Sequence, residues 1–148
     1  MSKTISFRGQ LDSGGMDKIN LQTNDGKKGY KILKFECMPD TPGTNQTEAI
    51  VKIYNKTQST IDALIDFSDG DLMAANFVAV SNGSNEAYAQ SIHTIFDNQV
   101  VNQDIFVTAI ELAGDRPTNY YIELESMAIT DIQSTQLTLK ALRNVASR

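Results

Sequence analysis

The sequence predicts an all-β fold, a two-sheet antiparallel β-sandwich of jelly-roll type with a short C-terminal helix. Three observations carry this. Short runs of alternating apolar and polar residues recur along most of the chain, separated by clusters of Gly, Pro, Asn and Asp. No helical segments alternate with them, so the rhythm of a parallel α/β sheet is absent. One cysteine and no tryptophan remove the Cys–Trp–Cys core of an immunoglobulin-like sandwich, the alternative all-β architecture.

The elements follow in order. Ile5, Phe7 and Leu11 open a first strand, and Ile19 and Leu21 mark a second. Asn24-Asp25-Gly26 is a turn in which Asp-Gly accepts positive φ. Tyr30 to Met38 alternates as a third strand, with Leu33, Phe35 and Cys37 on one face and Lys34 and Glu36 on the other. Pro39 to Gly43 ends it, because proline removes ladder donors. Glu48 to Lys56 is a fourth strand with apolar residues on both faces, hence covered on both sides. Ile61, Ala63, Ile65 and Phe67 alternate with Asp62, Leu64 and Asp66 as a fifth; a Ser-Asp-Gly-Asp turn then leads into a return strand ending at Val80.

Asn82 to Asn85 is a loop. Ser91–Phe96 and Asp104–Leu112 are strands joined by a polar linker, DNQVVNQ. Gly114 to Pro117 turns the chain into Tyr120–Met127, where Tyr120, Ile122 and Leu124 alternate with Tyr121, Glu123 and Glu125. About nine strands result. From Asp131 the period changes: Leu139, Leu142 and Val145 recur every three residues without Gly or Pro, which predicts a helix over 131–146 capped near Thr130 or Asp131. It either covers one end of the sandwich or docks on a neighbouring subunit.

With 148 residues, 41% apolar and 21% charged, the chain reads as a single globular domain over 1–148, able to bury about two thirds of its unfolded surface. A net charge of −5 disfavours nucleic acid and anionic membrane as partners, since both are held chiefly by Lys and Arg. Cys37 is the lone cysteine, so no intrachain disulfide forms, and its strand pattern makes it a buried residue. No signal-peptide pattern opens the chain, and no apolar run is long enough to span a membrane as a helix.

Reactive constellations are sparse. His93 is the only histidine, and a Cys37–His93 pair lacks any local nucleophile signature. Asp66, Ser68, Asp69 and Asp71 cluster, but the spacing is not that of an EF-hand, and capping of backbone N–H groups explains them better. Asp97, Asn98, Asn102 and Asp104 form a second oxygen-rich stretch. Glu123 and Glu125 share a strand face, the solvent side of a half-buried strand. Neither Gly14-Gly15 nor Gly26 and Gly29 form a phosphate loop. No catalytic residue, metal ligand or cofactor is expected. Tyr88 and the pair Tyr120-Tyr121 are the aromatic residues available to a sugar, and one of the pair must face away from the other.

Taken in order, GYKILKFECMPDTPG (29–43), AIVKIY (49–54), STIDALIDFSDGDLMAA (59–75), TIFDNQVVNQDIFVT (94–108), NYYIELESM (119–127) and LTLKALRN (137–144) resemble small virion proteins of marine tailed bacteriophages. The resemblance implies a structural role akin to jelly-roll decoration or cement proteins on the capsid exterior. It implies a location in the virion after synthesis in the host cytoplasm. The implied partners are the major capsid protein or other virion proteins, with self-association as a trimer or a dimer and no enzymatic activity. A carbohydrate- or receptor-binding module on the particle or its tail is the alternative, and an enzyme of unknown chemistry the second. Residues 1–28 lie outside the resemblance and read either as strands or as an arm reaching a neighbour.

Overall fold

A computed structural model describes residues 3–41, 46–80, 89–96 and 100–130, together with Gln136, Leu137 and Leu139. Nine strands lie among the described residues: β1 (Lys3–Leu11), β2 (Gly15–Ile19), β3 (Lys28–Pro39), β4 (Thr47–Tyr54), β5 (Leu72–Val80), β6 (Ala89–Ile95), β7 (Val100–Val101), β8 (Ile105–Glu111) and β9 (Thr118–Ala128). They form a four-stranded sheet in the order β1-β9-β3-β7 and a five-stranded sheet in the order β2-β8-β4-β5-β6. Every pairing is antiparallel. The fold is thus all-β, with two antiparallel sheets.

Period-two alternation explains which residues meet between the sheets. Ile122 and Leu124 of β9 and Phe35 of β3 face Ile53 of β4 and Ile105 and Val107 of β8 in one shared core. Each is essentially inaccessible to water. Burying a side chain of this size contributes about 1.5–3 kcal/mol. Two polar ties cross the core as well. The Tyr120 hydroxyl donates to Asp17 Oδ2 of β2 at 2.7 Å, and Asn76 Nδ2 of β5 donates to the Phe35 carbonyl at 3.3 Å. The second bond satisfies a carbonyl on the side of β3 where, among the described residues, no strand pairs at that level.

The first tie depends on Gly9. A Cβ there would stand 2.8 Å from the Tyr120 hydroxyl oxygen and 2.9 Å from its ring. Only a residue without a side chain lets the tyrosine lie across β1 and reach β2.

Several sequence expectations need correction. Residues 61–67 do not form a strand, although their alternation is clean; only Leu72–Val80 of that stretch pairs. Asp62 and Asp66 explain why. Their Oδ1 atoms accept from the backbone N–H groups of Leu64 at 3.2 Å and Ser68 at 2.9 Å. These local bonds bend the chain and compete with a ladder. Val100 and Val101, read as linker, instead pair with Lys31 and Tyr30 to form β7. The register of β3 shifts between Ile32 and Lys34, so Leu33 is turned outward and 44% exposed rather than sharing the inner face of Phe35 and Cys37. Residues 1–28, read as strands or an arm, contribute β1 and β2. The expected loop at 82–85 lies outside the described residues, and so does the helix expected over 131–146, save for Gln136, Leu137 and Leu139.

The Gly9–Tyr120 approach yields a test. Gly9→Ala should displace the Tyr120 ring, weaken its bond to Asp17 and destabilise the fold by about 1–3 kcal/mol. Denaturant unfolding of the two proteins measures this, and equal midpoints would refute the packing role.

Candidate functional site

Three surface features are built by the frame: a carboxylate nest, an apolar loop and a shallow trough.

The nest lies at the end of β8, beside the start of β4. Glu111 ends β8 in the same inward phase as Ile105, Val107 and Ala109, and is 1% exposed. A carboxylate there requires compensation. Its Oε2 accepts from the backbone N–H of Glu48 (3.0 Å) and Ala113 (2.6 Å), and its Oε1 from Gly114 (2.8 Å) and Arg116 (3.0 Å). Burial pushes the Glu111 carboxyl upward, but these four donors outweigh it and hold the group below its ordinary value. The nest therefore shapes the turn from β8 to β9, where Asp115 adopts a φ of 56°. Arg116 then reaches across to Asp40 through Nε at 3.3 Å and Nη2 at 3.2 Å. Asp104 plays a similar part elsewhere, accepting from the N–H groups of Leu21 and Gln22 beside Lys18.

The loop spans residues 55–71 between the paired strands β4 and β5. Hairpin connections are usually about 2–5 residues, and irregular loops much longer than this are commonly functional. This one is pinned. Lys52 points out of the five-stranded sheet away from the core, yet its side chain is only 3% exposed. Its ammonium group meets Asp62 Oδ1 at 3.3 Å, donates to the Leu64 carbonyl and stands 5.5 Å from the centroid of the Tyr54 ring. A chain of side-chain-capped turns continues the restraint: Asp66 accepts from Ser68, and Asp69 Oδ1 from the Asp71 N–H at 2.9 Å. The result is an ordered tip that presents Leu64 at 67% exposure, with Ile65 and Phe67 also exposed. The Phe67 ring meets Phe96 edge to face at 5.0 Å.

The trough lies on the outer face of the four-stranded sheet. Arg8, Tyr121 and Glu36 stand in one cross-strand row, and Gln10, Asn119 and Met38 in another. Between them the row Gly9–Tyr120–Cys37 turns its side chains inward and leaves backbone as the floor. The hollow measures about 510 Å³.

The residues singled out from sequence fall as follows. Cys37, expected to be buried, is only partly so and shares no hydrogen bond with His93; burial first, then the Glu36 charge, pushes its thiol far up, which disfavours the thiolate, while His93 is exposed. Asp66 and Asp69 cap backbone N–H groups, as expected. Among the described residues no three His, Cys, Asp or Glu side chains gather as metal ligands would. Asn102 donates to the Gly26 carbonyl at 3.0 Å; Asp97 and Asn98 lie outside the described residues, as does Tyr88. Glu123 lies on the outer face 3.9 Å from Lys34, and Glu125 occupies the same face opposite Thr4 and Lys31. Tyr120 and Tyr121 do point in opposite directions, Tyr120 inward and Tyr121 into the trough.

Glu111 and Lys52 were not identified from sequence. Glu111 carried a signal, a charge in an otherwise apolar phase of its strand; Lys52 carried a weaker one, its flanking by Ile50 and Tyr54 on the same face. No model of a known protein family matches the chain, and no curated protein matches it significantly.

Two outcomes are expected. The depressed Glu111 carboxyl makes the nest's stabilisation complete above its ordinary value of 4.5 and lost as pH falls through the folded value. Glu111→Gln should lower stability at neutral pH by about 1–3 kcal/mol and flatten its decline in acid, as thermal unfolding across pH 3–7 (roughly the carboxylate range) will record. Lys52→Ala should speed amide exchange at Leu64 and Ser68 while leaving β3 and β9 protected; unchanged exchange in the loop would show that the lysine does not pin it.

Proposed function

We propose that this protein is a structural component of a bacteriophage particle, a decoration or cement protein that binds the outer capsid surface and stabilises it. The pinned apolar tip of the 55–71 loop carries this reading. Leu64, Ile65 and Phe67 are held out to solvent by Lys52 and a series of aspartate-capped turns. An exposed apolar cluster on an ordered loop favours contact with another macromolecule. Preorganisation lowers the entropy lost on binding.

The strand order supports the same reading. β1 pairs with β9, β2 with β8 and β3 with β7, while β4 and β5 form the closing hairpin with β6 added at its edge. We read this as a jelly-roll sandwich, an architecture shared by viral capsid proteins and lectins. Architecture alone does not assign a role; the ordered phrases that resemble marine phage virion proteins add to it. In this role the protein holds rather than catalyses. A stable contact buries about 1,200–2,000 Å², and many copies on one shell multiply modest affinities. The negative net charge suits the capsid exterior better than its DNA-filled lumen. We include in this reading a short helix over 131–146 and a trimeric assembly, with a dimer as the alternative that light scattering distinguishes.

Co-sedimentation with capsids of the encoding phage tests the role. Wild type should pellet with capsids, and Leu64→Asp combined with Phe67→Asp should remain in the supernatant while still unfolding cooperatively, as a folded protein does. Failure of the wild type to pellet would overturn the assignment, and pelleting of the double variant would move the contact to another surface.

A further inference from the structure

We propose that the trough on the outer face of the four-stranded sheet is a saccharide-binding site, with Tyr121 as its stacking platform. This goes beyond the capsid role and uses a different face of the molecule.

The argument starts from register. Arg8, Tyr121 and Glu36 occupy one cross-strand row on β1, β9 and β3, so a guanidinium, a phenol ring and a carboxylate stand side by side on a rigid sheet. Neighbouring side chains on adjacent strands are about 4.5–5.5 Å apart, so the row is wide enough to lie along one or two sugar rings. Asn119 and Met38 form the opposite wall, with Met38 60% exposed. The volume of about 510 Å³ falls in the range of small-ligand sites, about 300–1,000 Å³. Its position on strands instead of loops keeps its geometry fixed.

The chemistry of the walls selects the ligand class. A pyranose presents C–H groups on its faces and hydroxyls at its rim. An aromatic ring meets the first, while planar amide, carboxylate and guanidinium groups donate to and accept from vicinal hydroxyls. Arg8 makes no hydrogen bond or ion pair with any described residue, and its donors are free for such a ligand. Glu36 is steadied by Lys34 at 3.1 Å, and the Asn119 amide by Gln10 at 3.1 Å and the Pro39 carbonyl at 3.4 Å. Tyr120 is unavailable as a second platform, because its hydroxyl is committed to Asp17 beneath the sheet. The site therefore has a single aromatic surface, which sets a weak affinity per copy.

NMR titration of the isotope-labelled full chain tests this with three probes: cellotetraose, maltotetraose and tetragalacturonate. At least one should shift the amides of Arg8, Glu36, Asn119 and Tyr121, with Kd in about the millimolar range. Tyr121→Ala should weaken binding at least about tenfold, and Arg8→Ala, a surface change that leaves the core untouched, should weaken it as well. The Leu64→Asp, Phe67→Asp protein should bind like wild type, which separates this site from the capsid contact. No shift with any probe at about 10 mM, shifts confined to other residues, or undiminished binding by both trough variants would overturn the proposal.

Discussion

Strand β9 is the constraint on which the rest depends. It lies between β1 and β3 and pairs along nearly its whole length with both. The last strand among the described residues thus completes a sheet begun by the first. Its inward residues Tyr120, Ile122 and Leu124 supply the middle of the shared core, and its outward residues supply the centre of the trough. Such pairing closes a loop of most of the chain before any ladder bond forms, so the entropy of closure is met by contacts made together. Folds dominated by non-local pairing are correspondingly slow to form. The Tyr120–Asp17 and Asn76–Phe35 bonds then join the two sheets at defined points, which adds directional registry to burial that has none.

Charge placed against pattern organises the two ends of this frame. Glu111 sits where strand periodicity calls for apolar atoms, Lys52 is a charge buried on the outer face between Ile50 and Tyr54, and both gather groups from elsewhere in the chain. The carboxylate collects four N–H groups and shapes the turn into β9; the ammonium collects Asp62 and Leu64 and holds down the long loop. In each case a buried charge is tolerated because it is fully partnered, and the partners acquire one geometry. The loop's apolar tip is therefore a shaped surface, and the outer sheet face is a second, polar one.

Much of this was legible in sequence, unevenly so. Alternation located β1, β3, β4, β8 and β9, because each has one face in a core whose period is two. It failed at 61–67, where the same alternation exists but aspartate side chains bond to the backbone two residues on. It also missed Val100-Val101, since two residues carry no period. The capping role of Asp66 and Asp69 and the opposite orientation of Tyr120 and Tyr121 were readable, being consequences of local chemistry or of strand phase.

By itself the sequence determined the all-β class, most strand positions and most of the partition of residues between inner and outer faces, Leu33 excepted, because these follow from local periodicity and turn chemistry. Only the tertiary structure decided that β1 lies beside β9, that Glu111 and Lys52 find their partners, and that Arg8, Tyr121 and Glu36 stand in one row. Those three residues are far apart along the chain, and their meeting depends on register between strands. Register is set by the packing of the whole core, which no single stretch of sequence contains.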